Sequence, residues 1–216
     1  MKSLQNNIFQ PISVVKEKSL ELIDVFDVQG KKTIELDSHS SLIYLVVGSD
    51  TDIDIQLRTI GPNCSCKIFG LFVSDAKHSL RGSIKISLNH SQTSVDVELI
   101  SFLRDGAKAE IDGCIDIAPH LDHVYGRLLE HNIILGENIA IKTLPKLNVA
   151  SHNVHVSHGA NIDAFDQQKL FYMMSRGLTQ KQSQTLLVNG YIEHVLKHFS
   201  EISDEEKQTI FALLKY

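Results

Sequence analysis

Tryptophan is absent and cysteine is scarce: the 216 residues contain three cysteines, Cys64, Cys66 and Cys114. An odd, small number of thiols in a chain of this length, with no secretory pattern, excludes a disulfide-stapled secreted scaffold and predicts free thiols. A strong excess of charge of one sign is also missing. Lys and Arg number 21 against 26 Asp and Glu, for a net charge of −5, and no basic run occurs anywhere. A phosphate-tracking nucleic-acid surface is therefore not expected. The longest apolar run, Leu42 to Val47, is far too short to cross a bilayer, and the opening MKSLQNNIFQ carries no apolar signal core, so a cytoplasmic protein without a membrane span is the expectation. The chain also lacks a Gly-x-Ser-x-Gly elbow, a P-loop and a dinucleotide fingerprint. No self-contained active site is expected, and no ATP bound by this chain.

What is present is period-two patterning. Leu22/Asp24/Phe26/Val28, Thr33 to Leu36, Leu42 to Val47, Ile53 to Leu57, Ile84 to Leu88, Val95 to Leu99 and Ile115 to Ile117 read as strands. In the sharpest of them apolar and polar side chains alternate, which predicts one buried face. Turn signals such as Gly61-Pro62-Asn63, Ser74-Asp75, Asn89-His90, Asp105-Gly106 and Gly136-Glu137-Asn138 fall roughly every dozen residues, with no helical window between them. Such spacing fits a sandwich, a barrel or a solenoid, and periodicity alone does not choose among them. Residues 1–19 have no period and read as an arm; 20–165 form the β body.

The habit changes near Asp166, and 166–216 read as a helical subdomain. Asp166 can cap a first helix through Leu170, Phe171 and Met174, stopped by Gly177. Thr179-x-x-Gln182 and Ser203-x-x-Glu206 are capping-box patterns for two more. The second helix carries a stripe of Leu186, Leu187, Tyr191, Val195 and Leu196, the third Ile210, Phe211, Leu213 and Leu214, almost to Tyr216. These stripes need a partner surface, either the β body or another protein.

Candidate chemistry is sparse. Cys64-x-Cys66 places two thiols on one face of an extended segment, and Cys114 lies in an alternating strand; both readings compete with simple packing. Of the clustered histidines, His152 and His158 share a strand face while His155 points away, which rules out a metal triad on one straight strand. His194 and His198 stand one helical turn apart without the glutamate of a zincin, and read as surface polarity. Asp52/Asp54 and Asp112/Asp116 are same-face carboxylate pairs of the kind β-helix hydrolases or lyases use, though alternation puts both on the solvent side.

The most specific stretch is Pro145 to Gly177. Leu135-Gly136 leads into Thr143-Leu144-Pro145-Lys146-Leu147, then Val156-Ser157-His158-Gly159-Ala160, then Leu170-Phe171-Tyr172 and Ser175-Arg176-Gly177. This composite resembles the SufB/SufD family over roughly Ser91 to Val195, densest from Leu129 to Gly177. The resemblance implies a mainly β protein, a right-handed parallel β-helix with a C-terminal α-helical subdomain, in a short form lacking the family's N-terminal helical domain. It implies a non-catalytic subunit of an iron–sulfur cluster assembly scaffold. A SufC-type ABC ATPase would bind the tail, with Phe171, Tyr172, Ser175, Arg176 and Gly177 as the partner-binding block. The last rungs would pair with a SufB-like subunit or a second copy. His158 matches the interface histidine of SufD-like members, a proton-sensitive iron ligand beside a transient cluster. Glu130 stands where SufB-like members carry an acceptor cysteine; it is a hard oxygen ligand that suits iron and not sulfane sulfur, so the chain is closer to SufD. If the protein works as a homodimer, Cys114 or the Cys64/Cys66 pair must supply the thiol. A metal-free structural adaptor for the ATPase and a β-helix hydrolase or lyase are the rival readings.

Overall fold

A computed structural model describes residues 12–14, 16–25, 29–164, 167–200 and 202–215. Asp166, Phe26, Val28 and Tyr216, named above as cap, strand and tail positions, lie outside them. The strands are β1 (Ile12–Val14), β2 (Ser19–Val25), β3 (Gln29–Leu36), β4 (Ser41–Ser49), β5 (Thr51–Thr59), β6 (Ser65–Ser74), β7 (Leu80–Leu88), β8 (Ser94–Leu103), β9 (Lys108–Ile117), β10 (Asp122–Ile134), β11 (Ala140–Thr143), β12 (Lys146–Val149) and β13 (Asn153–Ala164). The helices α1 (Gln167–Ser175), α2 (Gln180–Leu196) and α3 (Asp204–Leu214) follow. Of the arm expected over 1–19, residues 12–14 form β1, which pairs in parallel with β3.

Strands deal alternately into two parallel sheets. One runs β13-β10-β8-β6-β4-β2, the other β1-β3-β5-β7-β9-β11, with β12 also on β9. Each strand thus lies beside the one a full rung earlier, which makes the body a two-sheet parallel β-helix. In the six-stranded sheet Leu20 lies beside Leu42, Leu42 beside Cys66, Cys66 beside Val95, Val95 beside Gly126 and Gly126 beside Val156. Rungs widen from 22 to 31 residues along this row. The corners leading into β2, β4, β6 and β8 are each turned by one residue with positive φ, Glu17, His39, Asn63 and Gln92, all at 59°, and the matching residue one rung on, His123 at 56°, lies at the start of β10. The N–H of each of the first four donates to the carbonyl of Ser38, Pro62, Ser91 or Asp122, the residue before the next corner. These corners therefore stack as regularly as the strands.

Between the sheets the lumen is apolar, filled by Leu22, Ile34, Tyr44, Ile55, Leu57, Ile68, Ile84, Ile86, Val97, Leu99, Ile115, Leu128 and their neighbours. Near its start lies a buried ionic group: Lys32, fully buried, donates to Asp24 Oδ2, and the Tyr44 hydroxyl donates to the same oxygen at 2.8 Å.

The outer faces differ. On the seven-stranded sheet charges pair across rungs: Lys31 with Asp54 and Arg81 with Asp52, both at 3.7 Å, Lys85 with Asp116 at 3.3 Å, and Lys142 with Glu110 at 2.6 Å. On the six-stranded sheet the outer face is apolar (Ile23, Val25, Leu45, Val47, Leu71, Val73, Ile100, Phe102, Ile133) and is covered by Leu170, Val188, Ile192, Val195, Leu196, Phe199, Ile210 and Leu214 of the tail. Two-sided burial explains continuous apolar runs such as Leu42 to Val47.

Both capping boxes form. Thr179 Oγ1 accepts from Gln182 N at 3.2 Å while Gln182 Oε1 accepts from Thr179 N at 2.8 Å; Ser203 and Glu206 repeat the exchange at 3.2 and 2.7 Å. Gly177, at φ +94°, ends α1 as expected. The stripe of α2 differs from the expected one: Leu186 and Tyr191 are exposed, and the helix buries Ser183, Gln184, Val188, Ile192, Val195 and Leu196. Its seat follows the position of the sheet face, which apolar spacing alone did not locate.

Candidate functional site

The distinctive residues gather at the last rung. Pro145 interrupts the ladder between β11 and β12, both of which pair with β9 at one register: Thr143 beside Ile111, Lys146 beside Cys114. Gly113 of β9 sits opposite this break with its α-carbon toward the lumen. A Cβ there would overlap Leu128 Cδ2 and lie 2.7 Å from Glu130 Oε1. The missing side chain makes room for Glu130.

Glu130 projects from β10 into the lumen and is 1% exposed. Its Oε2 accepts from the Thr143 hydroxyl, while Oε1 has no hydrogen-bond partner. Burial, and next the negative charge of Asp112, push its carboxyl up to about 7. Ser101 and Asn132, neighbours in register on the same lumen face, each also bury an oxygen without a partner. Polar groups of β8 and β10 thus line one wall of the lumen near its last rungs, as Lys32 and Asp24 do near its start.

His158 lies on β13 beside Leu128, and Ala160 beside Glu130. In-register neighbours share a face, so His158 and Glu130 point to the same side of the sheet, diagonal to each other at about 8 Å between α-carbons. His158 is exposed, since no described strand lies beyond β13. Leu144, Val149 and Ile162 are exposed around the same open end. Among the described residues no group of three His, Cys, Asp or Glu is placed to hold a metal ion, so His158 and Glu130 supply two donors at most.

The thiols stay apart from this end. Cys64 and Cys66 share the lumen side, as expected, and both are buried. Cys64 Sγ lies 2.9 Å from the Asp37 carbonyl and 3.1 Å from that of Gly61, and burial raises its pKa; burial raises that of Cys66 further. Cys114 is partly exposed on the outer face of β9, 3.6 Å from both Asp116 Oδ1 and Asn148 Nδ2; burial first, then Asp116, keeps its thiol protonated. None is poised as a thiolate nucleophile. The carboxylate pairs are spoken for: Asp52 by Arg81, Asp54 by Lys31, Asp112 by Lys146 at 3.7 Å and Asp116 by Lys85.

On the tail, Leu170 packs inward, while Phe171 is 75% exposed, Tyr172 59% and Met174 45%. Arg176 lies over the Tyr172 ring at 5.3 Å, and the Ser175 hydroxyl donates to the Tyr172 carbonyl at 2.7 Å. A role that sequence reasoning missed is that of His198, expected as surface polarity. It stacks on Phe69 of β6 at 4.8 Å, a contact between distant parts of the chain with no local signal.

The chain is an irregular parallel β-helix covered on one outer face by three helices, with β13 the last described strand of its six-stranded sheet. The SUF-system FeS cluster assembly SufBD core domain matches residues 24–191, and the chain belongs to that family. It is 28% identical over 91 residues to the iron–sulfur cluster assembly protein SufD of Escherichia coli (strain K12), covering 42% of this chain and 22% of that protein. It is 33% identical over 82 residues (38% and 22%) to a SufBD family protein of Archaeoglobus fulgidus, and 23% over 121 residues (56% and 26%) to SufB of Bacillus subtilis (strain 168). The chain thus spans about a quarter or less of these relatives. The family's domain is that of iron–sulfur cluster assembly in the SUF system. No described helix is long and apolar enough to cross a membrane.

Proposed function

We propose that the chain is a SufD-like, non-catalytic scaffold subunit that docks a SufC-type ATPase on its C-terminal helices and pairs with a second SufB/SufD-type subunit along β13. The observation that carries this is the face of α1, where Phe171, Tyr172 and Met174 stand in solvent on a helix whose other side is already packed. Exposed aromatics beside an arginine are the usual anchors of a protein interface. The edge of β13 supports the pairing. Paired with β10 on one side, this twelve-residue strand has no described neighbour on the other, where it borders an apolar lumen, and a partner edge would satisfy its outward backbone groups.

If the partner is a second copy, strand geometry restricts the register. Opposed residues in an antiparallel pair share a face, so about a two-fold axis only residues whose numbers add to an even total can meet. Full overlap of Asn153–Ala164 then centres the axis on His158 or Gly159. Either choice brings two His158 imidazoles together near two Glu130 carboxylates, a donor set that iron accepts. The cluster is cargo here, handed over from an interface that the ATPase strains or opens. Charge-paired aspartates weigh against the hydrolase reading.

The test is iron and sulfide analysis of anaerobically prepared assemblies of the chain with its partners, wild type against His158→Ala. Loss of bound iron with the assembly intact supports the ligand role; full loading of the variant sinks it, and assemblies that never hold iron favour the metal-free adaptor.

A further inference from the structure

The C-terminal end of α2 rests on the six-stranded sheet through two imidazoles whose surroundings oppose each other. His198 lies flat on Phe69, ring centres 4.8 Å apart and planes at 23°, with Phe199 against the same ring at 6.3 Å. His194, one turn earlier, meets the edge of the His198 ring at 5.8 Å and points Nε2 at Glu98 Oε2, 3.6 Å away. His131 of β10 approaches the other Glu98 oxygen at 3.8 Å. The charged groups facing the pair are Lys67 on β6, Glu98 on β8 and Lys197 at the end of α2 itself, and Glu98 is shared with Arg127 and His131 of β10.

A proton on His198 must be held half-buried, against Lys67, the neighbouring His194 and Lys197, with Glu98 and the face of the Phe69 ring in its favour. Its pKa is accordingly lowered, by burial first and then by Lys67. Charging His198 is thus opposed where it is seated on the sheet.

We infer that protonation of His198 releases the C-terminal end of α2 from the sheet, a proton-operated catch between the helical subdomain and the β-helix. Lowering pH below the ordinary histidine range loosens this end first, while the strands beneath it hold. Glu21, accepting from Ser200 N at 3.1 Å, and Arg104, donating to the Leu214 carbonyl at 3.0 Å, tie down the following loop and the end of α3 without any histidine. The response is therefore confined to α2. That it would alter how an ATPase engages α1 and α2 rests on the proposed function; the catch itself does not.

Hydrogen exchange of the unpartnered full chain from pH 8 to pH 5, corrected for intrinsic rates, separates the two. Protection of amides Val188 to Leu196 is expected to fall on the acid side relative to Cys66 to Leu71 of β6, by up to about tenfold for each pH unit by which His198 is depressed. His198→Phe keeps a ring on Phe69 and takes no proton, so its α2 protection stays level with pH. Lys67→Gln moves the wild-type midpoint upward. A pH-independent α2 in the wild type, or a His198→Phe profile that matches it, overturns the inference whatever is found for ATPase binding.

Discussion

Replacing Glu130 by Gln isolates the electrostatics of the closing rung. The carboxyl rises from its ordinary 4.5 to about 7 because it is buried and faces Asp112, and that rise corresponds to about 3 kcal/mol at 1.36 kcal/mol per pH unit. The folded state prefers the neutral acid. Below pH 4.5 both states are protonated and no penalty applies; from 4.5 to about 7 the unfolded chain gives up its proton first and stability falls; above 7 the loss is complete. The amide of the Glu130→Gln variant carries no proton to lose, so the difference in stability between variant and wild type should grow by about 3 kcal/mol over that interval and then level off. Asp75, where hydrogen bonds outweigh burial, and Asp116, bonded by Asn148, are both held below their ordinary values and respond in the opposite direction. They do so equally in the two proteins and cancel in the difference. Urea unfolding followed by circular dichroism at pH 4.5, 5.5, 6.5 and 8 reads the effect as a relative midpoint shift of about 1 M, for a slope near 3 kcal/mol per molar. A difference curve flat in pH would refute the assignment of Glu130 as a carboxyl buried in the lumen.

Two further outcomes follow from the same lumen. Asp24→Ala strips the fully buried Lys32 of its carboxylate and should cost about 3–5 kcal/mol, whereas Asp24→Leu combined with Lys32→Met should cost far less, because the desolvated charges leave together; thermal unfolding of the three variants checks the order. Gly113→Ala should lower stability by about 1–3 kcal/mol, since its methyl group must displace Leu128 and Glu130 in a filled channel, and chemical denaturation that finds no loss would show that the rung is looser than described.

How much of this was legible in sequence varies with range. Capping boxes are local, and Thr179/Gln182 and Ser203/Glu206 formed as read. One-sided alternation marked β5, β7 and β9 because the charged ladder covers only their outer face. The rung repeat stayed hidden for two physical reasons: its length drifts as corners grow, and most corners are turned by a Glu, His, Asn or Gln in the left-handed region, where glycine would have signalled the turn. The β-helix was therefore named from the motif composite and not from periodicity. Helix α2 misled because Leu186 and Tyr191 are exposed while Ser183 and Gln184 are buried, an arrangement set by where the sheet lies. Glu130 and His158 were singled out by the resemblance; that Gly113 and Thr143 complete the surroundings of Glu130 depends on pairing across rungs, which no local pattern records.

The most direct test of the scaffold reading is anaerobic co-purification of the full chain with the SufC-type ATPase from the same genome, wild type against Phe171→Asp. Co-elution of the wild type is expected, with at least about a tenfold weaker complex for the variant, whose charge replaces an interface anchor without touching the packed side of α1. A variant that binds as well as the wild type, or an ATPase that binds neither, would contradict the scaffold reading.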